Sequence, residues 1–208
     1  MTCTCPLGDF PSIADVTCKE NFGQVQKAIF VDMDENANGV AAAPAGIVAA
    51  LQALITTDET AVITPFLEAP EQEAGEARTF GGGNDTPNGI EEFLGMGPSQ
   101  FTAQMRGVPQ SIIANMKQLI CFAESGKLGV YLINGSGQIE GISKVVTDVA
   151  YLLPIPVRSL RISDKVHGGF DEPDRNEISW MFLPDYSDGL VIVTPTVGSG
   201  LDIVNTSV

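Results

Sequence analysis

The chain has 208 residues, 44% of them hydrophobic, enough for one domain with a sizeable core. Eleven Lys and Arg against 26 Asp and Glu give a net charge of -15, which excludes a nucleic acid as a specifically held ligand, because phosphate contacts need positive side chains. The imbalance is concentrated: Asp32, Asp34, Glu35, Asp58, Glu59, Glu68, Glu71, Glu73 and Glu76 lie between Ala28 and Ala77, where there is no base at all.

The opening MTCTCPLGDFPSIADVTC holds Cys3, Cys5 and Cys18; the fourth cysteine is Cys121. Pro6, Gly8, Asp9 and Pro11 interrupt any apolar run of the roughly 7–15 residues that an export signal needs. No later stretch supplies the ~18 apolar residues of a membrane span without helix-weak residues breaking it. The reading is an unexported protein whose thiols stay reduced. CxC with a distant third Cys is not the paired spacing of structural zinc, and a fourth ligand would have to be Cys121 or His167. Residues 1–24 are expected to form an extended arm and residues 25–208 a single β-rich domain.

VQKAIFVD reads as the first strand. In the following DMDENANG, Asp34, Asn36, Asn38 and Gly39 match the first half of a calcium loop, but the closing position is Ala45 instead of a bidentate Glu. A cation site and a solvated turn both remain open there. In PAGIVAALQALITT, Ile47, Val48, Leu51, Leu54 and Ile55 recur on one helical face, with Ala49, Ala50 and Ala53 mostly on the other. With no charge between Val40 and Thr57, this helix is expected to be covered on its back too. AVITPF reads as a strand. EAPEQEAGEARTFGGGNDTPNG, residues 68–89, reads as a loop too long for a mere connector, ordering against a neighbour.

SQFTAQMR alternates Phe101, Ala103 and Met105 with polar residues, as a half-buried strand does. PQSIIANMKQLICFAESG reads as a helix opened by Pro109, closed by Gly126 and striped by Ile112, Ile113, Met116, Leu119, Ile120 and Ala123. Cys121 and Phe122 fall off that stripe and are expected at a subunit interface. KLGVYLINGSGQIEGI is a hairpin turning through Asn134–Gly137. VVTDVAYLL, VRSLRIS, EISWMFL and GLVIVTP bring the total to about nine strands, and HGGFDEPDRNE is a loop. The expected fold class is α+β, mainly an antiparallel β-sandwich or small barrel with two flanking helices.

Catalytic chemistry has little to stand on. His167 is the single histidine, so a Ser or Cys triad has one possible base. No GxSxG, phosphate-loop or HExxH motif occurs, and Gly81–Gly83 lack the lysine a phosphate loop requires. Asp171, Glu172, Asp174 and Glu177 are a charge run in a Pro-containing loop, which solvent covers in the ordinary case. The expectation is a protein that is not an enzyme, with no catalytic, cofactor-binding or metal residues and no cofactor.

Three stretches, CKENFGQVQKAIF, GGGNDTPNGIEEFLGMGPSQFTAQMRGVPQSI and LGVYLINGSGQIEGI, resemble segments of virion structural proteins from tailed bacteriophages of the crAss-like, Bacteroides-infecting kind. The resemblance covers the larger part of the chain. The order of elements is similar to the tail-tube fold, in which two sheets form a sandwich or small barrel, a helix flanks it, and subunits close into a ring. It implies a self-assembling virion component of the tail, collar or connector region, made in the host cytoplasm, with copies of itself and other virion proteins as partners and no membrane. Tail tubes commonly carry one principal helix and a long extended hairpin, and the chain departs from both; a head fibre or capsid-decorating protein stays open. A calcium- or small-molecule-binding β module is the alternative of another class. In a ring that passes a genome, the nine acids between Ala28 and Ala77 would give the lumen a negative wall to which DNA does not stick. The same charge could equally keep subunits apart before assembly.

Overall fold

A computed structural model describes residues 21–205. Cys3, Cys5 and Cys18, and the arm read over residues 1–24 apart from residues 21–24, lie outside the described residues. In chain order the elements are β1 (Val25–Asp32), β2 (Val40–Ala41), α1 (Ile47–Thr56), β3 (Ala61–Ile63), β4 (Glu68–Glu73), β5 (Ala77–Gly81), β6 (Glu91–Met96), β7 (Ser99–Arg106), α2 (Gln110–Lys117) and α3 (Leu119–Ser125). Then follow β8 (Leu128–Asn134), β9 (Ile139–Val146), β10 (Val149–Leu153), β11 (Ile155–Ile162), β12 (Arg175–Phe182) and β13 (Leu190–Val193).

β1 and β8 form the centre, and their sequences explain why. Ala28, Phe30, Leu128, Val130 and Leu132 point into one apolar cluster, while Ile29, Val31, Tyr131 and Ile133 point into another. Strands buried on both faces lose polar alternation and become near-continuous apolar runs, as AIFV and LGVYLI do. β3 flanks β1. On its other side β8 pairs with β9 at Leu132 and Ile133, and with β11 at Gly129 and Val130. From there the sheet continues through β12 and β7 to β4, each of these strands antiparallel to its neighbours, so that 11 strands make one curled half-barrel. The expected α+β class with a mainly antiparallel sheet and flanking helices is what the chain adopts, with 13 strands where the sequence pattern marks about nine.

Inside the curl, Trp180 stacks on Phe101 at 4.3 Å between ring centroids and meets the edges or faces of Phe30 and Phe182 at 5.4 and 6.2 Å. Ile113, Met116 and Ala123, from α2 and α3, join the same cluster. Each large side chain of this kind contributes roughly 1.5–3 kcal/mol by leaving water. On the opposite face of β1 and β8, α1 lays down Ile47, Leu51, Leu54 and Ile55. Its back is covered only in part: Gln52 exchanges two hydrogen bonds with the backbone of Val204, at 2.9 and 3.0 Å, and Ala49 stays exposed. Lys27 fastens the same C-terminal segment by donating to the carbonyls of Leu201 and Ile203.

Three expectations need correction. The helix expected over 109–126 forms with one interruption of its hydrogen bonding at Gln118, whose φ of −67° and ψ of −26° stay helical, but Ile112, expected in its stripe, is 40% exposed because α2 turns only Ile113 and Met116 inward. VVTDVAYLL is not one strand: Thr147 and Asp148, at φ 48° and 63°, make a tight turn between β9 and β10. Such turns favour Gly, Asn and Asp, so Asp148 is a lone turn signal in a β-branched run and Thr147 is none. Residues 68–89 are not a loop but contain β4 and β5. β4 is an edge strand and β5 pairs only with β6, away from the large sheet, so neither carries the apolar alternation by which buried strands are recognised.

Candidate assembly surfaces

The β5–β6 pair is a two-stranded ribbon separate from the main sheet. Two glycines form its neck: a Cβ on Gly75 would lie 2.1 Å from the Gly97 carbonyl oxygen, so only glycine lets the two chains pass this closely. The Gly97 amide donates to the Glu76 carbonyl at 2.7 Å and the Gly75 amide to Ser99 Oγ at 3.2 Å. At the far end Thr86 Oγ1 accepts from the Gly82 amide and donates to the Ile90 carbonyl, which closes the glycine-rich turn.

The ribbon carries large apolar side chains on both faces. Thr79 pairs with Phe93 and Phe80 with Glu92, so strand alternation puts Phe80 and Phe93 on opposite faces, and Leu94 is the extra residue of a β-bulge between Phe93 and Gly95. Phe80, Phe93 and Leu94 remain 57%, 62% and 63% exposed, and Ile90 beside them 69%. A lone hairpin is marginal in water without a third strand or a packed face. Phe80 lies in the stretch 68–89 that reads as a loop, and the sequence reading assigns no element to Ile90, Phe93 and Leu94, although the run IEEFLGM is a signal that could have found them.

A second surface contains residues singled out from sequence. The left-handed Gly126 ends α3, with its amide bonded to the Ala123 carbonyl and that of Lys127 to the Phe122 carbonyl, which sets Phe122 beside the start of β8. Across from it, Asn36 Nδ2 donates to Thr60 Oγ1 and the Asp32 amide to the Thr60 carbonyl, tying the turn after β1 to the loop after α1. Between them lies a groove of about 480 Å³, with Leu119, Phe122 and Leu128 among its apolar lining and Asp32, Glu35, Asp58 and Glu59 among its acids. Phe122 is 39% exposed and its neighbour Cys121 is exposed.

Of the remaining acids between Ala28 and Ala77, Asp34 pairs with Lys127 at 2.6 Å and Glu68 with Arg106 at 2.7 Å. The hydrogen bond and charge of Asp34, reinforced by Asp32 and Glu35, hold the Lys127 ammonium above the ordinary lysine range. Glu71 and Glu73 stand on β4 opposite Thr102 and Gln100, and Glu76 follows at the ribbon neck. The nine acids thus fall into a group around the groove and a group along β4 and its continuation.

The calcium-like stretch is spent on local bonds: the Asp34 amide donates to Asp32 Oδ1, and Asn36 Nδ2 also reaches the Asp32 carbonyl. No three His, Cys, Asp or Glu side chains converge as metal ligands among the described residues. His167 is largely exposed, with Nδ1 3.4 Å from Asp174. The Gly168 amide, then the charges of His167 and Lys165, hold the Asp174 carboxyl below its ordinary range. No described helix is long and apolar enough to cross a membrane. Comparison with protein-family models, curated proteins and solved structures gave no match.

Proposed function

We propose that the chain is a non-enzymatic virion structural protein of a tailed phage that self-assembles into a ring or tube in the tail, collar or connector region. The observation that carries this reading is the β5–β6 ribbon, which exposes Phe80, Phe93 and Leu94 on its two faces and has no core of its own. An apolar surface of this kind on a ribbon outside the main sheet is costly unless another surface covers it. A ring supplies one, because each subunit offers its neighbour a patch different from the one it receives, and such contacts close when the rotation permits.

On this reading the acids of β4 and its continuation, Glu71, Glu73 and Glu76, face the lumen, where like charge keeps DNA from adhering. Light scattering and negative-stain electron microscopy of the purified protein test the reading. Closed rings or short tubes are the expected result; a monodisperse monomer at millimolar concentration overturns it.

A further inference from the structure

Resting on the self-assembly reading, we propose that the groove between α3 and the α1–β3 loop receives the β9–β10 hairpin tip of a second copy, with Lys144 of that copy entering among the groove carboxylates.

The groove calls for a particular occupant. Its lining is apolar at Leu119, Phe122 and Leu128, and its acids are Asp32, Glu35, Asp58 and Glu59. The side chains of Asp58 and Glu59 hold no hydrogen bond or ion pair among the described residues. These acids do not converge as metal ligands, so the groove suits an extended cationic and apolar segment better than an ion. The β5–β6 ribbon fits less well, because its acids Asp85, Glu91 and Glu92 outnumber its cation Arg78 and would meet like charge there.

The β9–β10 tip fits better, with the cation Lys144 against a single acid, Asp148 in the turn. Lys117, Lys127, Lys165, Arg106 and Arg175 are paired with acids within the chain, whereas Arg78, Lys144 and Arg161 are exposed with no ion pair among the described residues; Arg78 lies on the acidic ribbon and Arg161 opposite Ser179 within the main sheet, which leaves Lys144 near a hairpin tip. Lys144 pairs across the hairpin with Tyr151, and Val146 with Val149. Strand alternation therefore sets Lys144, Val146 and Val149 on one face. Val146 and Val149 are 44% and 47% exposed. A cation flanked by two valines matches a groove of carboxylates flanked by Leu119 and Phe122. The contact joins two different patches, so it is heterologous and propagates into a ring or filament instead of a closed dimer.

A charge exchange tests the pairing, followed by sedimentation velocity over a concentration series, with circular dichroism melts to verify folding. Lys144→Glu should weaken self-association at least tenfold, as should Asp58→Lys combined with Glu59→Lys. All three changes in one chain should restore association to near the wild-type level. A wild-type chain that associates while Lys144→Glu associates equally well overturns this joint and leaves self-assembly standing. Failure of the combined variant to recover also overturns it. A wild-type chain that stays monomeric overturns both.

Discussion

Replacing Phe93 and Leu94 together with serine probes the ribbon without touching the core. Full burial of a Phe or Leu side chain gives roughly 1.5–3 kcal/mol. With 62% and 63% of their surfaces still in water, about 1–2 kcal/mol per side chain is left to be gained when a neighbour covers them. The pair therefore accounts for about 2–4 kcal/mol of each subunit contact, and its loss weakens association roughly 30- to 700-fold. The monomer should hardly notice, because the ribbon pairs only with itself and can open without the rest of the domain. The melting temperature should move by less than about 2 °C, against roughly 2–4 °C per kcal/mol for a chain of this length. Sedimentation velocity reads the first quantity and a circular dichroism melt the second. Unchanged association refutes the assembly role of the ribbon; a fall of about 8 °C or more refutes its independence from the core.

Phe122→Asp places a fifth acid in the groove and should leave a folded monomer that assembles poorly; a chain that loses its cooperative melt while Leu119→Asp keeps it would mean that Phe122 belongs to the core. Tyr131 is fully buried and donates to the Leu152 carbonyl at 2.9 Å, so Tyr131→Phe should cost about 1–2 kcal/mol, read as a drop of roughly 2–8 °C. Burial also raises the Tyr131 phenol above its ordinary 10.0. Its neutral form is the one the fold favours, so this stability is complete below pH 10 and lost as pH climbs toward the raised value; Tyr131→Phe should remove that part of the alkaline slope. Asp174 behaves oppositely, being lowered from 3.8 by the Gly168 amide and then by the charge on His167. Its contribution is present above that value and lost as pH falls through the lowered one, so Asp174→Asn should flatten the acid limb of a stability–pH curve, and an unchanged limb would contradict the pairing.

What could be read from sequence followed burial. VQKAIFVD, KLGVYLIN, SQFTAQMR and EISWMFL bury at least one face, and the removal of that face from water imposes a pattern of apolar residues. Helix α1 was legible for the same reason, down to Ile47, Leu51, Leu54 and Ile55. β4, β5 and β6 were not, since an edge strand and a free ribbon have no buried face to impose a pattern. The turn at Thr147 and Asp148 was hidden because Thr147 does not favour positive φ and Asp148 is a single turn-former inside a β-branched run. Of the groove residues, Phe122 was recognisable as lying off the buried stripe from helical phase alone, but its meeting with Asp32, Glu35, Asp58 and Glu59 depends on a tertiary tie at Thr60 that no local spacing records.

Charge and apolar exposure act against each other in this molecule, and salt separates them. At a net charge of -15, subunits repel at distances up to the ~8 Å over which charges act in physiological salt. The ribbon contact is apolar in Phe80, Phe93 and Leu94, so it has little direct electrostatic attraction to lose and gains as salt screens the general repulsion. The groove contact depends on Lys144 among carboxylates and weakens as the same salt screens that attraction. Raising NaCl from about 0.05 to 0.5 M should thus strengthen association of the Lys144→Glu chain and weaken that of the Phe93→Ser, Leu94→Ser chain. Sedimentation velocity at both salts measures the two slopes. Slopes of the same sign would mean that one surface carries both effects, and the division of labour between ribbon and groove would be wrong.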